Sequence, residues 1–265
     1  MTQSANERRR EIVNLVMERK TVGLDDLAEQ LGVSRMTIHR DLDLLEERGL
    51  LRKERGGATA ESSLLFESNF HYRAQNDQAG KRALARAARA LVEPGSVIMI
   101  DDSTTTLLLA EELEAIEFVT VITNSLAVCE KLRAHPNVQL VLTGGSYNQN
   151  LQAFYGLICE QSIAKLRADW AFLSASSIIG LSLFHQDQEV VRMKRALMEA
   201  AQRRALLVTN SKFHTRALNH FGELSEFDRV FIDDGLDAES AARLRKAGIA
   251  FDLVRAQNPT GTETK

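Results

Sequence analysis

The sequence predicts an α/β protein with two unlike domains. We expect a winged helix-turn-helix domain over residues 1–58 and an α/β domain with a mostly parallel sheet over residues 81–256. Two helical patterns separated by a glycine and followed by a short basic segment indicate the first domain. Short β-branched runs alternating with helical stretches indicate the second, because parallel strands need crossover connections. The remaining length, about 200 of the chain's residues, is enough to bury a sizeable core.

The helix-turn-helix pattern has a clear stop and a clear start. We expect a first helix over residues 25–31 that Gly32 ends, because glycine adopts the turn conformation that other residues avoid. A second helix begins on Ser34, whose hydroxyl can cap the free amides of the first turn. It is expected to run to about Arg48, before Gly49.

Apolar spacing decides which face of the second helix is buried. Ile38, Leu42 and Leu45 recur at helical spacing, so this stripe is expected to face the domain core. A preceding helix over residues 7–20 is expected to pack on the pair. Residues 50–57 then read as two short extended pieces with a basic, glycine-ended tip, which is the pattern of a wing.

This shape suits DNA. A helix fits the major groove, and arginine side chains bind guanine edges and phosphates alike. The wing would add phosphate contacts that do not depend on sequence, and glycine amides can approach the DNA backbone closely. The candidate DNA-binding residues are Ser34, Arg35, Met36, Thr37, His39 and Arg40 on the helix and Arg52, Lys53, Arg55, Gly56 and Gly57 on the wing.

In the winged-helix segment, the distribution of charge supports DNA binding, and the net charge does not. Residues 1–60 contain eleven Lys and Arg and eleven Asp and Glu, so they have no net basic charge. We expect residues 8–10, Arg35, Arg40 and the wing to cluster at one end. Helix-turn-helix units also serve as packing, dimerisation or protein-binding modules. Unchanged DNA binding after Arg35→Ala with Arg40→Ala would favour such a module.

The rest of the chain alternates between extended and helical patterns. Residues 59–80 are expected to form a linker that docks on the protein, because polar and turn-forming residues surround a few apolar ones. The strand candidates are 97–100, 118–122, 138–142, 170–175, 205–208, 229–232 and 251–254. The helix candidates are 81–91, 105–113, 127–134, 188–202 and 238–247. Residues 257–265 are expected to be a disordered tail.

Polar residues follow several of these strands, at the sheet edge where α/β proteins bind ligands. Hydroxyls and free amides at a helix N-terminus attract a phosphate, a lysine can neutralise it, and Asp or Asn can bind the hydroxyls of a polyol. The candidate effector-binding residues are Asp101, Ser103, Thr104, Thr105, Asn124, Ser125, Gly144, Gly145 and Lys212. Together they describe a pocket for a small phosphorylated sugar. Taken singly, each also fits a structural role as a helix cap or chain turn.

Composition limits the other possibilities. The net charge of −3 and the absence of a polybasic tail argue against a general nucleic-acid coat. Two cysteines are too few for a disulfide framework or a cysteine zinc site, which suits a reducing cytoplasm. We expect no cofactor and no metal. No apolar run approaches the length of a membrane span, so we expect a soluble, cytoplasmic protein.

The helix-turn-helix segment resembles that of a known protein family. The segment LAEQLGVSRMTIHRDLDLLEERGLLRKERGGA resembles the signature helix-turn-helix of the DeoR family of bacterial transcriptional regulators. Its most distinctive residues are Ser34, Thr37, Ile38, Arg40, Asp41 and Leu42. By this resemblance, Asp41 supports the fold or Arg40 instead of contacting DNA. His39 stands where the family often carries Arg, which gives this chain its own base preference.

The resemblance extends over nearly the whole chain. It implies a C-terminal domain similar in fold to ribose-5-phosphate isomerase, which binds a phosphorylated sugar or polyol that releases repression. Further positions that match the family are Asp101, Thr104, Thr105, Asn124, Gly156, Asp169, Glu189, Lys194, Phe213 and Asp233. Three departures stand beside them, because Ser103 replaces a glycine, Thr209 replaces an Asp and Asn148 replaces an Arg.

These observations predict a DNA-binding repressor of a carbohydrate-utilisation operon, controlled by a phosphorylated sugar or polyol. We expect it to bind double-stranded operator DNA as a homo-oligomer, because one small module offers too little surface for a specific site. We do not expect an enzyme. The alternative is an isomerase-like enzyme with an accessory winged helix, in which Asp101 is the base and Lys212 the electrophile.

Overall fold

The computed structural model describes residues 4–19, 21–47, 50–59 and 70–256. The predicted helix end at Arg48 and Gly49, most of the predicted linker and the predicted tail at 257–265 lie outside these ranges. The chain divides into two compact units, Met1–Arg73 and Ala74–Lys265.

The first unit is a winged helix-turn-helix. Its elements are α1 (Ala5–Arg19), β1 (Thr21–Gly23), α2 (Leu24–Gln30), α3 (Arg35–Glu47), β2 (Arg52–Glu54) and β3 (Gly57–Thr59). Ile12, Leu27, Ile38 and Leu42 are fully buried in its core, so the predicted apolar stripe of the second helix does face inward. The three strands form an antiparallel sheet in the order β1-β3-β2, so the wing hairpin has a third strand that the sequence did not indicate.

The second unit is an α/β domain. Its helices are α4 (Phe70–Gln75), which begins in the first unit, α5 (Gln78–Arg89), α6 (Thr104–Glu112), α7 (Leu126–Leu132), α8 (Leu157–Ala164), α9 (Gln188–Ala200) and α10 (Ala238–Lys246). Its main strands are β4 (Val97–Ile100), β5 (Val119–Thr123), β6 (Val138–Leu142), β9 (Ala168–Leu173), β12 (Ala201–Val208), β14 (Arg229–Asp233) and β15 (Phe251–Val254). Shorter strands are β7 (Ser146–Asn148), β8 (Ala153–Tyr155), β10 (Ser177–Ile179), β11 (Ser182–His185) and β13 (Asn219–Glu223).

The seven main strands form one parallel sheet in the order β15-β14-β12-β9-β4-β5-β6. The chain starts at β4, moves outward through β5 and β6, and then returns to add β9 on the other side of β4. The strand order therefore reverses between β4 and β9. In parallel α/β sheets this is where a crevice opens at the carboxyl ends of the strands.

Two apolar layers cover the sheet. On one face, side chains of α5, α6 and α7 such as Leu84, Leu109 and Val128 pack with Trp170 and Phe172. A second cluster contains side chains of α8, α9 and α10, with Ile163 and Met193 among its buried members. Burial on both faces explains why the central strand β4 is a continuous apolar run, which makes it recognisable in the sequence.

The predicted and observed elements differ at several boundaries. Phe118 was expected in β5, but it has a left-handed backbone (φ 51°) and is 74% exposed, so the strand begins one residue later. Of the predicted linker, Thr59 belongs to β3, and residues 70–80 are mostly helical because α4 and the start of α5 lie there. In the second unit, helix α8 and the short strands β7, β8, β10, β11 and β13 were not predicted. Strands of three to five residues carry little alternation.

Among the described residues, no helix is both long enough and apolar enough to cross a membrane.

Candidate DNA interface and ligand site

The exposed face of α3 carries the predicted reading residues. Ser34 caps this helix, since its Oγ accepts a hydrogen bond from the Thr37 amide at 3.2 Å. Met36 is 63% exposed, and His39 and Arg40 are exposed beside it. Within the described part of the chain, Arg40 has no hydrogen-bond or ion-pair partner. A cation and an exposed methyl-bearing side chain on one helix face can bind base edges and thymine methyls.

Other predicted cations are already paired. Arg35 binds Asp25 with its Nε 2.7 Å from Oδ1, and both side chains are 68% exposed. Arg52 contacts Glu54 at 2.9 Å, and Lys53 contacts Asp43. Exposed pairs of this kind contribute little to stability, so a phosphate can displace the carboxylate at small cost.

Arg8 and Arg9 do not belong to the basic cluster in which they were expected. Their Nε atoms donate to the two carboxylate oxygens of Asp41 at 2.6 and 2.7 Å, and Asp41 is only 2% exposed. The pairs tie α1 to the buried side of α3. Asp41 therefore supports the fold through Arg8 and Arg9 and not through Arg40.

The two wing glycines have different environments. Gly56 is exposed at the turn with φ 93°, a conformation that favours glycine. Gly57 is buried, and a Cβ there would lie 2.2 Å from the carbonyl oxygen of Val22. The requirement for glycine at Gly57 thus comes from strand packing and not from room for DNA. Arg55, next to this turn, is exposed.

In the second unit, the predicted ligand residues lie at different distances from the point where the strand order reverses. Asp101 to Thr105 follow β4, and Asn124 and Ser125 follow its neighbour β5. Gly144 and Gly145 follow β6, and Lys212 follows β12, each two strands away from β4 on opposite sides. With neighbouring strands about 5 Å apart, residues 101–105 and 124–125 lie close together, and Gly144, Gly145 and Lys212 lie farther from β4.

Asp101 is held by protein groups alone. Its side chain is fully buried, and Oδ1 accepts hydrogen bonds from the Ser103 amide at 3.0 Å and the Thr106 hydroxyl at 2.6 Å. Oδ2 accepts from the Ser174 amide at 3.0 Å and from the buried Lys194 ammonium. Burial opposes the charge, but Lys194 and the hydrogen bonds from Thr106 and Ser174 together hold the pKa of Asp101 below its ordinary value. Asp101 therefore joins β4 to β9 and α9, where a polyol-binding role was expected.

Several other candidates also have structural roles. Ser103 caps α6 by accepting from the Thr106 amide at 3.1 Å, and Ser125 caps α7 by accepting from the Val128 amide at 3.3 Å. At Gly145, with φ 148°, a Cβ would meet the carbonyl oxygen of Tyr155 at 2.4 Å. Gly144 has open space around it.

The N-terminus of α6 is a concentrated anion-attracting feature of this unit. Lys81 on α5 is 4% exposed and places Nζ 3.1 Å from the Thr104 hydroxyl. Thr104 and Thr105 begin α6, and in the described ranges their amides bond to no protein acceptor. A buried ammonium, two amides and the positive end of a helix suit an oxyanion such as phosphate.

Asn124 lies beside this feature and is completely buried. Its Nδ2 donates to the Phe154 carbonyl at 3.0 Å, while its Oδ1 has no hydrogen-bond partner in the described structure. Asp102 is 2% exposed, and its Oδ1 likewise lacks a donor there.

Sequence reasoning missed the roles of two buried lysines. In the sequence, Lys81 marks only the start of a helix, and Lys194 matches the family without an assigned function. Their periodic positions on α5 and α9 give the only signal, because a lysine on the inward face of an amphipathic helix must have a partner. Lys212, expected to neutralise the anion, lies half-buried on a short 3₁₀ helix, Asn210–Phe213.

The second unit also has an open cleft away from these residues. An open cleft of about 300 Å³, lined by Ile178, Phe213, Arg216 and Arg243 among others, includes none of the predicted effector residues. The described residues contain no group of three His, Cys, Asp or Glu side chains placed to hold a metal ion.

Comparison with known proteins gives matches over both units. A family model for the DeoR-like helix-turn-helix domain matches residues 8–64, and one for the DeoR C-terminal sensor domain matches residues 76–234. The chain is 32% identical over 254 residues to a putative aga operon transcriptional repressor of Escherichia coli O157:H7, covering 94% of each. It is 32% identical over 231 residues to the glycerol-3-phosphate regulon repressor of Haemophilus influenzae, covering 86% of this chain and 89% of that one.

Solved structures resemble it more distantly. Ribose 5-phosphate isomerase A from Methanocaldococcus jannaschii has a TM-score of 0.39 and 19% identity, covering 52% of this chain and 55% of that one. The two family-model matches and the full-length similarity to curated regulators carry the assignment. The chain belongs to the DeoR family of transcriptional regulators, with a DNA-binding winged helix-turn-helix followed in the sequence by an α/β sensor domain.

Proposed function

We propose that this protein represses a carbohydrate-utilisation operon and that a phosphorylated sugar or polyol controls its affinity for DNA. The observation that carries the proposal is the placement of Lys81 at the N-terminus of α6, beside two amides that bond to no protein acceptor among the described residues. The name of the Haemophilus influenzae relative, a glycerol-3-phosphate regulon repressor, supports a phosphorylated compound.

The DNA half of the proposal rests on α3 and the wing. The N-terminal turns of α3 enter the major groove, where Arg40 and His39 bind base edges and Met36 packs on a thymine methyl. Arg35, Arg52, Lys53 and Arg55 bind phosphates and position the helix without reading sequence. The protein acts in the cytoplasm and binds double-stranded operator DNA. It does so as a homo-oligomer, because paired half-sites supply the surface that one module lacks.

The effector half rests on charge and hydrogen bonding. The phosphate binds Lys81 and the amides of Thr104 and Thr105, and the sugar hydroxyls lie toward the ends of β4 and β5. Binding favours one conformation of the sensor domain. If that conformation has lower affinity for DNA, the effector and the operator oppose each other by the same coupling free energy, typically about 1–3 kcal/mol.

Fluorescence anisotropy on the DNA upstream of the protein's own gene tests both halves. We expect specific binding that one phosphorylated sugar or polyol weakens about 5- to 150-fold, while the unphosphorylated partner compounds have no effect. Specific binding that no compound in the panel changes would contradict the sugar-phosphate sensor. A compound that strengthens DNA binding would contradict release of repression and leave the sensor in place.

The anion site has its own test. Lys81→Met removes the buried ammonium and is expected to abolish the response to the phosphorylated effector while DNA affinity without effector is unchanged. Lys131→Met is the matched control, because Lys131 lies on the surface of α7 and pairs with Glu111 at 2.8 Å. An effector response that survives in Lys81→Met would place the phosphate elsewhere.

The alternative, an isomerase-like enzyme, has less support. Lys194 holds the pKa of Asp101 below its ordinary value, whereas a base that removes a carbon-bound proton works best with a raised pKa. All four hydrogen bonds to the Asp101 carboxylate also come from the protein itself. We expect no isomerisation of pentose phosphates by the purified protein, and activity that Asp101→Ala abolishes would reverse this conclusion.

A further inference from the structure

Two buried acceptors at the strand ends lack donors. Oδ1 of Asp102 and Oδ1 of Asn124 are inaccessible, their side chains are 2% and 0% exposed, and neither atom has a hydrogen-bond partner in the described structure. Most buried polar atoms in folded proteins are hydrogen-bonded, and a buried carboxylate without a donor is especially unfavourable. Such atoms indicate positions that a bound molecule fills.

The chemical character of both atoms is fixed. The Asn124 amide is oriented by its Nδ2, which donates to the Phe154 carbonyl at 3.0 Å, so the unpaired atom is the carbonyl oxygen. Asp102 has only carboxylate oxygens to offer when ionised. Both atoms therefore accept hydrogen bonds, and their partner must donate them. Hydroxyl groups meet this requirement, whereas a second anionic group does not.

The two residues lie on the same edge of the sheet. Ile100 of β4 and Thr123 of β5 are register partners, so Asn124 is one residue and Asp102 two residues beyond the same pair. Asp102 also comes directly before Ser103, which caps α6, the helix at whose N-terminus Lys81 lies. The acceptors thus adjoin the anion site without forming part of it.

We propose that Asp102 and Asn124 form a hydroxyl-binding subsite in which Asp102 determines specificity. The subsite selects an effector that presents at least two hydroxyl donors close to its phosphate, as a polyol phosphate does. This inference rests on the proposed function, because it assigns the neutral end of the same effector. Asp101, fully hydrogen-bonded within the protein, plays no direct part in it.

The test compares ligands of equal length with and without hydroxyls. Isothermal titration with the full chain uses inorganic phosphate, propyl phosphate, glycerol 3-phosphate, hexyl phosphate and glucitol 6-phosphate, together with unphosphorylated glucitol. We expect at least one polyol phosphate to bind about tenfold or more tightly than its alkyl counterpart, because a site built for hydroxyls discriminates against analogues that lack them.

Variants test whether Asp102 and Asn124 cause the difference in affinity between polyol and alkyl phosphates. Asp102→Asn is expected to remove most of the difference between polyol and alkyl phosphates and to leave the affinity for inorganic phosphate equal or higher, since a nearby negative charge is lost. Asn124→Ala is expected to reduce the same difference. Glu114→Gln, which changes an exposed carboxylate in the same unit, is the matched control and is expected to change neither.

Thermal unfolding separates a binding role from a structural one. Asp102→Asn removes a buried unpaired charge, so it is not expected to lower the Tm. If its Tm fell as far as that of Asp101→Asn, Asp102 would be a structural residue and the subsite would be overturned. Equal affinity of the wild type for alkyl and polyol phosphates would overturn it as well, with the anion site intact. Tight, Asp102-dependent binding of unphosphorylated glucitol would support the subsite and contradict the phosphate half of the proposed function.

Discussion

At the residue scale, Asp101 and Lys194 form the most deeply buried ion pair among the described residues of the sensor domain. Both side chains are at least 97% buried, with exposures of 0% and 3%. Burial alone would raise the pKa of Asp101, but Lys194 and the donors around it lower it. A lowered pKa means that the ionised carboxylate stabilises the folded state above its unfolded pKa of about 4 and that this contribution is lost as the pH falls through the folded value.

We therefore predict that Lys194→Met destabilises the sensor domain by about 3–5 kcal/mol near neutral pH, because it leaves a buried carboxylate unpaired. Without Lys194, burial raises the pKa of Asp101, so the loss is largest at neutral and alkaline pH and shrinks as the pH falls and the carboxylate is protonated. Urea unfolding followed by fluorescence of the chain's only tryptophan, Trp170, measures this.

The matched variant removes the charge as well. Asp101→Asn with Lys194→Met is expected to unfold at a higher urea concentration than Lys194→Met alone, although Asn cannot accept every hydrogen bond that Asp101 accepts. A destabilisation in Lys194→Met that is the same at about pH 5 and about pH 8 would contradict the charge argument and indicate lost packing alone.

A second residue-scale prediction concerns the winged helix. Asp41→Ala removes the acceptor of Arg8 and Arg9 and is expected to destabilise that unit by about 1.5–3 kcal/mol, the usual loss for a charged hydrogen bond. Far-UV circular dichroism during heating measures the change. Asp43→Ala is the control, because Asp43 is exposed on the same helix. A Trp170 transition shifted as much as the dichroism would contradict a local effect.

At the element scale, helix caps and ligand residues are hard to separate in sequence. Hydroxyls after strands were expected to bind an effector, yet Ser103 and Ser125 use their oxygens to cap α6 and α7. The same residue types serve both purposes because a helix N-terminus attracts any acceptor, internal or external. Thr104 and Thr105 are the first two residues of α6, and among the described residues their amides have no protein acceptor, so they can bind a ligand.

The loop after β6 gives an element-scale prediction. Gly145→Ala is expected to destabilise the domain by about 1–3 kcal/mol, because its φ of 148° and the Tyr155 carbonyl 2.4 Å from the new Cβ both resist a side chain. Gly144→Ala, which meets nothing within 4 Å, is the control and is expected to be close to neutral. Equal Tm values for the two variants in differential scanning calorimetry would contradict the packing argument.

Strands of the parallel sheet were predicted better than the short strands outside it. The central strand Val97–Ile100 was predicted at its observed bounds because a central parallel strand is apolar on both faces. The edge strand Val138–Leu142 was also predicted at its bounds, from its β-branched residues. The hairpin of β7 and β8 and the sheet of β10, β11 and β13 were missed. Their strands hold three to five residues, and pairing partners distant in sequence decide whether such segments are extended.

At the scale of the whole molecule, a chain with net charge −3 must bind DNA through local positive charge. Each phosphate that a Lys or Arg neutralises is expected to add about 0.9 to the slope of log affinity against log salt. We predict that Arg55→Gln lowers this slope by about one for each DNA-bound wing, while Arg86→Gln on the sensor domain leaves it unchanged. Anisotropy titrations between low and moderate salt measure it, and an affinity that does not change with salt would refute phosphate contacts by the wing.

The sequence by itself determined the class of both domains, because periodicity, capping and turn residues are local signals. It also predicted which helix reads DNA and which edge of the sheet binds a ligand. Only the tertiary structure decided which polar residues are available there. Folding brings Lys194 and the Ser174 amide to Asp101, places Lys81 at the start of α6 and leaves Asp102 and Asn124 with unpaired acceptors. Whether a buried polar group has a partner depends on residues distant in the chain, and no local pattern records it.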